Sequence, residues 1–348
     1  MRRFISLLLL LCILFSLTSC KYETRSRTIS QEYFNTISTI STYHDYNDKN
    51  INKYEKIADE VLSYYHRLFD IYNEYSGISN IKTINKNAGK SPVTVDAELV
   101  VFLKHCKELY TITEGKTNIM LGSVLSLWHY AREEADRNFG FISESDLPTD
   151  EELSEAVKHT SIDMLLIDEE ASTVYISDAS ASIDVGAVAK GYAVDKLCER
   201  LKAEGADSTV LNVGGNVRTI GMKPDGERWV SGITNPDKDS MQSLICKIKI
   251  GEVSIVTSGD YERYFFAGDK IYHHIIDPET LYPSDYFSSV SIITESSALA
   301  DALSTALFCM SYEDGKALVN SIGGIEVIWI TKDYEIKSTD GVEILPVG

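Results

Sequence analysis

Apolar positions along the chain change period several times, and each change marks an element. Across 51–72 they fall at Ile57, Val61, Leu62, Tyr65, Leu68 and Phe69, the three-and-four spacing of a helix with one buried face. The same reasoning predicts a second long helix over 97–113 and a short helix and turn over 80–89. Thr149 or Asp150 caps a further helix, with acids in its first turn. The run 191–204 is amphipathic and is followed by Gly205, at the position where a left-handed residue closes a helix. An apolar helix is predicted over 298–310.

Elsewhere the pattern is that of strands. Segments 33–43, 164–167 with 173–176, 209–213, 218–222, 229–234, 244–250, 253–258, 261–267 and 286–293 read as strands, and 326–331 with 334–338 as a closing hairpin. The stretch 115–123 reads as a loop leading into 124–128. The charged stretch 131–150, with Pro148, reads as a surface excursion. No strand–helix–strand rhythm of a parallel sheet is visible, so an α+β fold of antiparallel strands and packed helices is expected.

The beginning of the chain has a different character. Arg2 and Arg3 precede an apolar run over 4–17, shorter than the ~20 residues of a spanning helix. The run closes on Leu17-Thr-Ser-Cys20, small residues before a cysteine as in a bacterial lipobox. The expected organisation is a lipoprotein signal peptide over 1–19, a polar tether linker over 20–31 and one domain over 32–348. Lipid on Cys20 would hold that domain at the extracytoplasmic face of a cell membrane. An ordinary signal peptide or an anchor helix is the plainer alternative.

Charge narrows the partners. With 33 basic and 52 acidic residues, the formal net charge is −19. Such a surface argues against nucleic acid. An anionic ligand must then be held by local donors or by a cation. Cys106, Cys198, Cys246 and Cys309 are scattered in apolar contexts without zinc-ligand spacing. They are expected as buried thiols, with a disulfide between two of them left open.

Candidate chemistry concentrates in a few segments. Asp301 and Thr305 lie one turn apart on the predicted apolar helix, so both project from one face. A carboxylate and a hydroxyl form a hard-oxygen pair suited to Mg²⁺ or Ca²⁺; the plainer reading is a cap and a back-bonded threonine. Ser182-Ile-Asp184-Val runs into Gly186-Ala-Val-Ala-Lys190-Gly, a small-residue turn before a helix. Such a turn exposes backbone groups to a ligand. There Lys190 can meet phosphate and Asp184 can accept a hydrogen bond. Asn212-Val-Gly-Gly-Asn216 allows close approach, or is simply a hairpin turn. In His273-His274-Ile-Ile-Asp277-Pro the two rings of a strand point to opposite faces. His274 is therefore the candidate base or ligand, with His273 expected at the surface.

Taken together, Asp-x-Gly-x-x-Ala-Lys-Gly-Tyr at 184–192, Asn-x-Gly-Gly-Asn at 212–216, Thr-Ser-Gly-Asp-Tyr at 257–261, His-His-Ile-Ile-Asp-Pro at 273–278 and Asp-Ala-Leu-Ser-Thr-Ala at 301–306 resemble the ApbE family, the FAD:protein FMN transferases. The resemblance runs from about Tyr33 to about residue 330. It implies a tunnelling-fold-like core and Mg²⁺-dependent transfer of FMN from FAD to a Thr or Ser hydroxyl, with release of AMP. It implies metal ligation by Asp301, Thr305 and the Ala187 carbonyl, with Ser304 adjacent, and FAD contacts at Asp184, Lys190 and Ile275. Weaker matches put Phe34, Tyr72, Lys116, Thr117 and Asn118 on the flavin or adenine. His274, Asp260 and Lys190 are the catalytic candidates. The implied acceptors are exported flavoproteins such as subunits of Rnf- or Nqr-type redox pumps. A Mg²⁺-dependent FAD pyrophosphatase and a non-catalytic FAD-binding lipoprotein are the alternatives. Three positions depart from the family pattern: Asn118 for Asp, Leu281 for Gly, and Phe34 where Met is common.

Overall fold

The computed structural model describes residues 25–29, 33–43 and 49–347; the expected leader and Cys20 lie outside them. In chain order the elements are β1 (Arg25–Ile29), β2 (Ser38–Thr42), α1 (Lys49–Phe69), α2 (Ile81–Lys86), β3 (Val93–Thr94), α3 (Ala97–Ile112), α4 (Gly122–Arg137), β4 (Phe141–Ile142), α5 (Asp150–Ala156), β5 (Leu165–Asp168), β6 (Thr173–Ile176) and α6 (Ala189–Ala203). There follow β7 (Thr209–Val213), β8 (Asn216–Ile220), β9 (Trp229–Thr234), β10 (Leu244–Ile250), β11 (Ser254–Gly259), β12 (Tyr264–Ala267), β13 (Lys270–His273), β14 (Ser289–Thr294), α7 (Ser297–Phe308), α8 (Tyr312–Ile322), β15 (Glu326–Ile330), β16 (Ile336–Ser338) and β17 (Glu343–Leu345). Among the described residues no helix is long and apolar enough to cross a membrane.

The main sheet runs β1-β2-β7-β8-β11-β14-β15-β16, and every neighbouring pair is antiparallel. Alternation along its strands assigns the two faces. Val256, Ile292, Val327 and Trp329 pack with Leu303, Leu307 and Phe308 of α7. Their chain neighbours Ile255, Ile293, Ile328 and Ile330 pack instead with Trp229, Ile233, Ile248 and Ile250 of the β9–β10 hairpin. The sheet is thus covered on one face by helices and on the other by the small sheet β17-β10-β9. β14, central and covered on both sides, is buried at every position. The α+β class expected from the pattern is the one observed.

Helix α7 lies between the sheet and α6, and it is apolar nearly all round for that reason. Gly191 of α6 makes this approach possible. A Cβ there would sit 2.3 Å from the Ser297 carbonyl oxygen and 2.7 Å from Asp301 Cβ. Asp301 is consequently held against the first turns of α6 inside an apolar helix pair.

Several expectations need correction. Residues 25–29, expected within the tether linker 20–31, form edge strand β1 against β2. The strand expected over 33–43 begins only at Ser38, because Phe34 and Asn35 adopt left-handed backbone angles (φ 56° and 50°) and turn the chain. The loop expected over 115–123 and the excursion expected over 131–150 are joined by one long helix, α4, over Gly122–Arg137. Val124, Trp128, Ala131 and Ala135 recur at helical spacing and pack on Phe265, while the charges face solvent. His273 is buried rather than at the surface: its Nδ1 accepts from the Ile275 N–H at 3.2 Å and its Nε2 donates to the Ser284 carbonyl at 2.8 Å. As expected, Cys106, Cys198, Cys246 and Cys309 are buried free thiols.

Candidate functional site

A cleft of about 1330 Å³ opens among the turn after α3, the 184–190 turn, the β7–β8 turn, the segment after β13 and helix α7. Twelve residues expected from the sequence line it: Phe34, Tyr72, Lys116, Thr117, Asn118, Asp184, Ala187, Lys190, His274, Ile275, Asp301 and Thr305. Two do not. Asp260, expected as a candidate base, pairs at 3.0 Å with Lys332 away from the lining. Ser304 is fully buried and ties α7 to β11, its hydroxyl 2.8 Å from that of Ser258.

Asp301 is a buried carboxylate in the lining of the cleft. Its Oδ2 accepts from the Gly191 N–H at 2.8 Å, and Lys190 Nζ stands 4.0 Å from Oδ1. Burial pushes its carboxyl above the usual range, and the nearby Lys190 offsets this only in part. Asp301 is thus a buried carboxylate with one backbone N–H donor on Oδ2 and Lys190 standing 4.0 Å from Oδ1. Thr305 follows one turn later, and its hydroxyl makes no hydrogen bond among the described residues. Asp301, Thr305 and Ala187 all line the cleft, the first two carrying side-chain oxygens. No cluster of three or more His, Cys, Asp or Glu suited to a metal occurs among the described residues, so a cation here would be completed by water and ligand oxygens.

The 184–190 turn is shaped by Asp184, whose Oδ1 accepts from the Gly186 N–H at 2.9 Å. Its other oxygen lies 4.0 Å from Nε2 of His129. His274 stands at the end of β13, with Nδ1 buried and unpartnered. Burial and the nearby charge of Arg263 hold its imidazole down to about 3, so it is neutral at physiological pH.

The other expected contacts divide by how their side chains are used. Tyr72 is 53% exposed and presents a free ring face. Phe34 holds its left-handed turn through its N–H, which donates to His66 Nδ1 at 3.2 Å. Ile275 is buried beside the cleft. Lys116 bridges Asp277 at 3.0 Å and Glu279 at 3.1 Å, joining the turn after α3 to the segment after β13. Thr117 donates to the Ala302 carbonyl at 2.7 Å. Asn118 donates to the Thr160 carbonyl and accepts from the Met120 N–H, both at 2.9 Å. These three line the cleft while their polar atoms hold the scaffold.

The sequence model of the ApbE family matches residues 34–329. The chain belongs to the ApbE family. A Treponema pallidum relative named FAD:protein FMN transferase is 29% identical over 96% of this chain and 92% of its own length. One from Klebsiella pneumoniae with the same name is 30% identical over 81% of this chain and 84% of its own. The crystal structure of the ApbE protein of Thermotoga maritima superposes with a TM-score of 0.77 at 28% identity, covering 91% of this chain and 97% of that one. The flavin transferase ApbE of Vibrio cholerae gives 0.75 at 26% identity with the same coverage.

Some lining residues of this ApbE protein escaped the sequence reading. His129 and Arg132 lie on one face of α4, and Arg263 follows β11. In sequence they are ordinary charges in polar stretches. The His129-to-Arg132 spacing, one helical turn, is the only signal that could have paired them.

Proposed function

We propose that the chain is an FAD:protein FMN transferase that moves FMN from FAD to a Thr or Ser hydroxyl of an acceptor protein. The hydroxyl oxygen bonds to the FMN-side phosphorus, the anhydride P–O bond breaks, and AMP leaves with the bridging oxygen. The observation that carries this reading is the convergence of Asp184, Lys190, His274, Asp301 and Thr305, from three separate segments, on one cleft of an ApbE-family chain.

Each residue has a definable part. Asp301, Thr305 and the Ala187 carbonyl would hold Mg²⁺, and a buried carboxylate with Lys190 no nearer than 4.0 Å suits that role. When bound, the metal supplies charge neutralisation at the pyrophosphate. Lys190 adds a positive charge beside the same oxygens. Tyr72 and Phe34 offer rings to the flavin or adenine. His274, kept neutral by its surroundings, has a free nitrogen to accept the hydroxyl proton. Asp260 is set aside, since Lys332 already holds it.

Lipidation of Cys20 would place this chemistry at the extracytoplasmic face of a membrane, where Rnf- or Nqr-type redox-pump subunits are fitting acceptors. The test incubates the protein with FAD, Mg²⁺ and such a subunit, following AMP and acceptor mass together. AMP release with an FMN-sized mass gain is expected, reduced about 100-fold or more in Asp301→Ala. AMP without a mass gain would mean FAD hydrolysis, and bound FAD without AMP would mean a binding protein.

A further inference from the structure

Two arginines that line this cleft have no side-chain partner among the described residues. Arg132 projects from α4 and Arg263 follows β11; both line the cleft and also a small side pocket that they share with His129 and His274. Neither guanidinium forms an ion pair or a side-chain hydrogen bond among the described residues. Glu133 and Glu262, their chain neighbours, line the same cleft, yet neither comes within ion-pair distance of either arginine; Glu133 pairs with Arg137 instead.

Their place in the cleft differs from that of Lys190. Lys190 stands against Asp301. The charges of Arg132 and Arg263 bear on His129 and on Tyr72, which is itself more than half exposed. His274 lines both the large cleft, which it shares with Lys190, and the side pocket, which it shares with the two arginines and which Lys190 does not reach. Arg263 is exposed and Arg132 half-buried, which puts the pair at the mouth of the cleft. A planar guanidinium matches the two oxygens of a phosphate or carboxylate, and two of them in one recess favour an oxyanion over any neutral group.

We propose that Arg132 and Arg263 form an oxyanion subsite at the mouth of the cleft, taking a phosphate or carboxylate group of the bound substrates on the side of His274 away from Lys190. The proposal rests on the transferase reading for the identity of those substrates. Two sources share this chemistry: a phosphate of FAD or of departing AMP, and an acidic side chain of the acceptor segment that enters at the mouth.

The experiment compares the full protein with Arg132→Gln, Arg263→Gln, the double variant and the corresponding Lys variants, each checked for an unchanged melting temperature. Equilibrium binding of FAD, AMP and riboflavin is read first. Transfer is then read with the redox-pump subunit as supplied and with the acids flanking its acceptor hydroxyl changed to amides. A phosphate ligand predicts a roughly tenfold weaker Kd for FAD or AMP per arginine lost, with riboflavin unchanged and partial recovery in the Lys variants. A carboxylate ligand predicts unchanged FAD affinity and a roughly tenfold higher acceptor KM. That rise disappears when the acceptor acids are amidated. Unchanged Kd values together with an unchanged KM in the double variant overturn the subsite. If the unsubstituted protein binds FAD and transfers nothing, the transferase reading falls; the binding arm alone then decides, and unchanged FAD and AMP affinity overturns the subsite.

Discussion

Leu281 occupies a left-handed conformation, φ 66°, where the family pattern has glycine. Its backbone is held on both sides: the N–H donates to the Asp277 carbonyl at 2.8 Å, and the carbonyl accepts from Trp128 Nε1 at 2.9 Å. The side chain packs beside Trp128. The substitution therefore keeps the loop and stores strain of about 1–2 kcal/mol. Leu281→Gly relieves that strain while losing packing, whereas Leu281→Ala loses packing alone. Chemical denaturation should find the Gly variant more stable than the Ala variant, the reverse of the usual order. An Ala variant at least as stable as the Gly variant would refute the strain. Asn118, the other departure, explains itself through its donor. An aspartate there would turn a carboxylate oxygen toward the Thr160 carbonyl, so Asn118→Asp should cost about 1–3 kcal/mol in the same measurement. Motif residues such as Asp184, Lys190, His274 and Asp301 were legible because polar groups interrupt apolar runs. Arg132 and Arg263 were not, since a lone charge in a polar stretch looks the same whether it faces solvent or a cleft.

Helices α6 and α7 meet where Gly191 has no side chain, and that contact fixes where Asp301 points. Gly191→Ala should push the pair apart. A destabilisation of about 1–3 kcal/mol is expected, together with a larger loss of transfer than of FAD binding. Thermal melting and turnover measured side by side check this; normal turnover at a normal melting temperature would show that the helices have room to spare. Most elements could be read from period alone, as α1, α3, β9 and β10 show, because each buries a single regular face or a continuous run. The exceptions have local causes. At Phe34 and Asn35 a hydrogen bond to His66 supports a turn inside a β-rich stretch. In α4 the numerous surface charges outweighed a narrow apolar stripe.

At the scale of the whole molecule, burial of three histidines couples stability to pH. His129, His273 and His274 are all held below the ordinary imidazole value, burial being the largest cause in each. Below about pH 6.5 the unfolded chain takes up protons that the native protein refuses, so stability is full above that value and falls as pH drops toward 3. For His274 alone the slope is at most about 1.4 kcal/mol per pH unit. Denaturation midpoints from pH 8 to pH 4 should fall less steeply in His274→Gln than in the unsubstituted protein. Parallel curves would mean that the imidazole is solvated. The α+β class followed from the sequence pattern, but the cleft did not, because its walls come from segments far apart along the chain.

In the main sheet, spatial order and chain order coincide. No strand has to be inserted between two that are already paired, so the sheet can grow at one edge as the chain is delivered from its N-terminus. One step in that growth is long. β2 must wait for β7, across everything between Thr42 and Thr209, while later strands join after short hairpins or one or two helices. Closing that loop costs conformational entropy before any pairing repays it. The zipping of β2 onto β7 is thus the natural kinetic bottleneck. Until it happens, the 184–190 turn has no sheet beneath it, and the cleft cannot exist.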